Sequence, residues 1–157
     1  MRRILAISRK ELLGYFNSPI AYIVTVAFLV ITSVWFFYIT QFLVSNQASM
    51  REYFAIFPFV FAVLIPALTM RSWAEENRSG TIELMMTLPY RESESVMGKF
   101  LGALTLLALM LALTIPVPLT IMSLGDFESG QIIGEYVGSF LLGAAGISVG
   151  LFISSLT

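Results

Sequence analysis

The chain has 157 residues, 57% of them hydrophobic and only 12% charged, with a mean hydropathy of +0.86. Soluble domains are about 45–50% apolar and about 25% charged, so this composition excludes an ordinary soluble globule. Cysteine and histidine are both absent, which removes disulfides, thiolate nucleophiles, haem ligands, the usual zinc sites and the common general base of hydrolases.

The first element in chain order is an amphipathic stretch. Ile4, Leu5, Leu12, Tyr15 and Phe16 share one side of a helical wheel, Arg3 and Lys10 lie opposite, and Arg9 sits at the border, where its stem can snorkel. This pattern predicts a helix lying along the cytoplasmic membrane surface, the simpler alternative being a basic flank that sets topology. Asn17-Ser18-Pro19 then turns the chain, with Ser18 suited to cap a helix and Pro19 to its first turn.

Four apolar stretches follow, at about 20–44, 53–70, 100–124 and 134–157. A bilayer core takes roughly 20 apolar residues per helix. Backbone groups in hydrocarbon must be satisfied internally, and strand-like alternation is missing, so the stretches are helices. The predicted fold is all-α: a polytopic transmembrane helical bundle spanning residues 1–157 as one domain. Pro58 and Pro66 in span two, and Pro116 and Pro118 in span three, should kink their helices, for shape or for gating. In span four Gly146-x-x-x-Gly150 would let another helix approach closely; the bland alternative is the general glycine richness of membrane helices. Trp35 and its aromatic neighbours read as lipid-facing. Span four runs into Thr157 with no charged flank, so the chain reads as truncated.

Between spans two and three, residues 71–99 carry nine charged groups: Arg71, Glu75, Glu76, Arg78, Glu83, Arg91, Glu92, Glu94 and Lys99. Each costs about 2.5–3.5 kcal/mol at a membrane-helix centre, so this loop belongs in water. Eight of the nine basic residues lie in this loop or before span one, with Arg51 alone elsewhere. The asymmetry places the N-terminus and the loop in the cytoplasm. Ser72-Trp73-Ala74-Glu75 has a capping-box pattern that would start a short helix at the membrane exit.

Gly80 then breaks that helix, and Pro89 closes a second after barely two turns. Ile82, Leu84, Met85, Met86 and Leu88 cover more than half of its circumference, leaving Glu83 and Thr87 as the polar side. Two apolar turns are poorly stable alone in water and need a surface to bury against. That surface is either a groove on a partner, for which methionine is well suited, or the ends of the chain's own spans.

The order of a surface helix, two spans, a loop reading Glu76-x-x-x-Gly80-Thr81-x-Glu83-Leu84-x-x-Thr87-x-Pro89, and Gly98-Lys99 entering span three resembles the ABC-2 type permeases, close to their gliding-motility-associated branch. The resemblance covers essentially the whole chain. It implies that Gly80–Leu88 is the coupling helix that contacts an ATP-binding subunit, with Glu76 and Pro89 completing the motif. It also implies six spans per subunit where this chain has four. ATP and magnesium would be bound by the partner, since no phosphate-loop motif occurs here. The other partners would be a second permease subunit and membrane lipid, with no role for nucleic acid. The expected function is a multi-pass permease of the bacterial inner membrane, without enzymatic chemistry of its own, serving ATP-driven export. The alternative is a non-transporting assembly or scaffold protein.

Overall fold

The computed structural model describes residues 2–39, 50–79, 92–123 and 129–156. Helix α1 runs Arg2–Phe16, and α2 runs Pro19–Val34 into a π-helical turn at Trp35–Ile39. Then come α3 at Arg51–Ala55, α4 at Phe57–Ser79, α5 at Glu92–Thr114, α6 at Pro116–Met122 and α7 at Ser129–Leu156. The described residues contain no strand. Four helical stretches are long and apolar enough to cross a membrane: Pro19–Ile39, Arg51–Met70, Ser93–Met122 and Ser129–Leu156. At 1.5 Å per residue, the first rises about 31 Å, close to the roughly 30 Å of a hydrocarbon core. The chain is therefore an all-α polytopic bundle.

Local chemistry sets the helix ends. Asn17 donates its backbone N–H to the Leu13 carbonyl at 2.9 Å and Ser18 donates to Tyr15 at 3.2 Å, closing α1. Ser18 then takes an extended backbone, and its Oγ accepts the Ile20 N–H at 3.2 Å, with Pro19 in the first turn. The prolines act unequally. Pro58 and Pro116 follow helix breaks at Ile56 and Ile115, so spans two and three are each two helices joined end to end. Pro118 falls in the first turn of α6, where its missing N–H is an orphan in any case, and only Pro66 sits inside a longer helix.

Two expectations need correcting. No helix begins at Ser72, because α4 runs unbroken from Phe57 to Ser79. Its i→i−4 hydrogen bonds are local and indifferent to charges on the side chains, and a capping serine would require a non-helical backbone. At the other end, α5 begins at Glu92, well before the apolar run starting at Phe100. Much of the stretch read as an aqueous loop is thus helical.

The registers of the contacts give the directions of the spans. Phe36 packs on Tyr53 while Phe28 packs on Phe57 and Phe61, so spans one and two are antiparallel. Thr114 meets Tyr136 while Leu107 meets Gly143, so spans three and four are also antiparallel. Ile65 faces Gly146 and Thr69 faces Gly150, each four residues further along both helices, so spans two and four run the same way. This up-down alternation is what four successive crossings demand.

Phe28, Phe36, Tyr53 and Phe57 are wholly buried and form the aromatic centre, with ring centroids 5.1–5.9 Å apart through Phe54 and Phe61. Phe36 therefore faces inward, and the Trp35 indole N–H is buried, while Phe37 and Tyr38 are exposed, so the lipid-facing reading holds for these two and fails for Phe36. Ile23, Val26, Val30, Phe59, Val63, Val137, Leu141 and Phe152 are exposed on the outside, as hydrocarbon contact allows.

Candidate functional site

Gly80, Thr81, Ile82, Glu83, Leu84, Met85, Met86, Thr87, Leu88 and Pro89 lie outside the described residues, and Glu76 is described only as a backbone position on α4. What is described is the frame on either side. Helix α4 continues nine residues past Met70, and α5 starts eight residues ahead of Phe100. These extensions are about 14 Å and about 12 Å long. Residues 80–91 thus join the ends of two helical arms that reach beyond the apolar runs.

The α5 arm is braced by α1. A Cβ on Gly98 would overlap the Ile7 side chain, and one on Gly102 would lie 2.9 Å from the Glu11 Cβ. The two helices therefore touch backbone to side chain, advancing in step from Ile7–Gly98 to Glu11–Gly102. Between these contacts Lys99 Nζ meets Glu11 Oε1 at 3.3 Å, with Lys99 only 1% exposed and Glu11 14%. Lys99 is not in water, as its place in the charged loop suggested, but enclosed at the root of span three. A buried cation is tolerated only when a counter-charge replaces its hydration, and Glu11 supplies one.

On α1 this leaves Ile7 and Tyr15 turned inward, while Leu5, Leu13 and Phe16 stay exposed beside Arg9. The sequence carried a signal for the brace: Gly98-x-x-x-Gly102 has the same small-residue spacing as Gly146-x-x-x-Gly150. It straddles the edge of the apolar run, where a packing motif of membrane spans is not expected.

Span four is seated by its glycines on two neighbours. Gly143 lies so close to Leu107 on α5 that a Cβ would overlap it. On the adjoining side, a Cβ on Gly146 would lie 3.0 Å from Ile65 Cδ1, and one on Gly150 only 2.6 Å from Thr69 Oγ1. Thr69 Oγ1 donates back to the Ile65 carbonyl at 3.1 Å, and Ser154 Oγ donates to the Thr69 carbonyl at 3.4 Å. Gly138 has open space around it. Small residues at 146, 150 and 154 thus let spans two and four meet closely with the Thr69 and Ser154 hydroxyls turned into the contact.

Among the described residues, no group of three acidic side chains could hold a metal ion. The geometry defines a multi-pass membrane protein with two helical arms beyond its apolar runs, of which the α5 arm is braced by α1. The sequence matches the family model described as ABC-2 family transporter protein over residues 5–157, so the chain belongs to that family. It is the membrane permease component of an ABC transporter, a transport component and not itself catalytic. No curated protein and no solved structure gives a significant match.

Proposed function

We propose that the chain couples ATP hydrolysis by a separate ATP-binding subunit to substrate movement, through the segment Gly80–Leu88. The observation that carries this reading is the pair of helical arms. The short apolar segment lies in sequence between helical extensions about 14 and 12 Å long that continue spans two and three, so it is placed to move with both. A displacement of the segment moves two spans together, and the α1 brace adds span one. Each of two docked positions would then correspond to one arrangement of the spans, with nucleotide biasing which is populated. Met85, Met86 and Leu88 supply the adaptable apolar contact, with Glu83 and Thr87 on the polar side.

In this reading ATP and magnesium are bound by the partner, a second permease subunit completes the path, and transport runs outward across a bacterial inner membrane. The N-terminus and residues 71–99 face the cytoplasm. The loop pattern keeps the likeness to the gliding-motility-associated branch within the proposal. Met85→Asp is the test. Burying an unpaired charge costs several kcal/mol, enough to release a docked short helix. The variant should insert at normal levels yet lose the ATP-binding subunit in pull-downs from detergent-solubilised membranes. Full retention of that subunit and of coupled ATPase activity would remove the docking role from this segment.

A further inference from the structure

Helix α1 divides lengthwise into two faces. Ile4, Ile7, Ser8, Glu11 and Tyr15 fall within about 100° of the helical wheel and are buried or half-buried. From this side Ile7 and Glu11 meet Gly98 and Gly102 of α5. The other side carries Leu5, Arg9, Lys10, Leu13 and Phe16, all exposed. Leu5, Arg9, Leu13 and Phe16 stand at i, i+4, i+8 and i+11 and form one stripe, with Lys10 beside it. Leu5 is 65% exposed and Leu13 53%, and an apolar stripe left open in this way marks a contact surface.

The height of the stripe is fixed by its neighbours. Gly98 and Gly102 bracket Phe100, where the apolar run of span three begins, and only Asn17 and Ser18 separate α1 from span one. The stripe therefore lies at the edge of the hydrocarbon. Exposed Ile20, Tyr22 and Ile23 continue it onto span one, with the Tyr22 ring centroid 6.2 Å from that of Phe16.

The charge on this face has one sign. Glu11 is the only acid of α1, and it is turned to the packed side and engaged with Lys99 at 3.3 Å. Arg9 and Lys10 make no ion pair among the described residues. Two cations set among Leu5, Leu13 and Phe16 are complementary to the headgroup zone of an anionic bilayer. The apolar groups enter the acyl edge while the long basic side chains reach out to the phosphates. Zwitterionic lipid would fill the apolar contact equally well but leave both cations without a net counter-charge.

We propose that the outer face of α1 is a docking surface for anionic phospholipid, with Arg9 and Lys10 holding the headgroups. The inference is independent of the coupling segment and of the side of the membrane on which α1 lies. The chain has no cysteine, so Gly14→Cys offers a single labelling position on α1, with nothing within 4 Å of a Cβ there. The full-length protein, carrying a fluorophore at this position, is placed in nanodiscs of equal phosphatidylglycerol and phosphatidylcholine. One lipid or the other has brominated chains that quench on contact. A Lys or Arg near an anionic surface is worth about a fivefold preference, so quenching should favour phosphatidylglycerol by about fivefold or more. Arg9→Gln with Lys10→Gln, both at exposed positions, should bring the two lipids level. Salt at about 1 M should do the same with both basic residues in place, since the Debye length falls to about 3 Å. Equal quenching by the two lipids at low salt, before either basic residue is replaced, would overturn the proposal. So would a preference that survives the double substitution. Quenching by neither lipid overturns it as well, because the face is then covered by protein.

Discussion

Replacing Gly150 by alanine adds a single methyl group, and the structure says where that methyl must go. It would stand 2.6 Å from Thr69 Oγ1, 3.0 Å from Cγ2 and 3.2 Å from Cβ, whereas ordinary contact begins at 3.4 Å. Rotating Thr69 offers no escape, because its Cβ is already too close and its hydroxyl is committed to the Ile65 and Pro66 carbonyls at 3.1 and 3.2 Å. Spans two and four must therefore separate by up to about 0.8 Å, the difference between 3.4 and 2.6 Å. Overpacking of this kind costs about 1–3 kcal/mol, against about 0.5–1 kcal/mol gained by replacing a helical glycine. The net loss of about 1–2 kcal/mol lowers the unfolding temperature by roughly 2–8 °C for a chain of this size. The assay is thermal unfolding in a fixed detergent, with Gly138→Ala as control, since nothing lies within 4 Å of a Cβ there. Gly138→Ala should be neutral or mildly stabilising, and Thr69→Ala should recover part of the Gly150→Ala loss. If Gly150→Ala behaved like Gly138→Ala, spans two and four would not be packed through this contact.

The eight-to-one distribution of basic residues predicts that single cysteines at Asn77 and Asp126 label from opposite sides of the membrane. Labelling of Asn77 in intact cells by an impermeant reagent would reverse the orientation. The Glu11–Lys99 pair predicts that Glu11→Ala destabilises the protein by about 1.5–3 kcal/mol, by removing a charged hydrogen-bond partner from a cation that is 1% exposed. The swap Glu11→Lys with Lys99→Glu should recover much of that stability, and a swap no better than the single variant would deny the pair its role.

The parts of this fold legible in the sequence were those fixed by local chemistry. Apolar runs of about 20 residues announced the four spans, and Ser18-Pro19 announced the start of the first. What stayed hidden depends on residues far apart in the chain. Lys99 looked like a loop charge because its counter-ion, Glu11, lies 88 positions earlier. The charged extension of α4 was hidden for a different reason: charges mark where a helix leaves hydrocarbon, not where its hydrogen bonding ends. The Thr114–Tyr136 hydroxyl contact at 2.9 Å joins spans three and four and leaves no periodic trace at all. The apolar face of the proposed coupling segment is legible in the sequence, while residues 80–91 lie outside the described structure.

The central claim is that residues 80–88 dock on an ATP-binding subunit and not beneath the chain's own spans. A photo-activatable amino acid at Met85, irradiated in native membranes with the transporter at its normal level, separates the two surfaces directly. The account predicts a cross-link to a protein carrying a phosphate-loop ATPase motif, with a yield that changes when nucleotide is added. Cross-linking confined to this chain's own helices, unaffected by nucleotide, would contradict it.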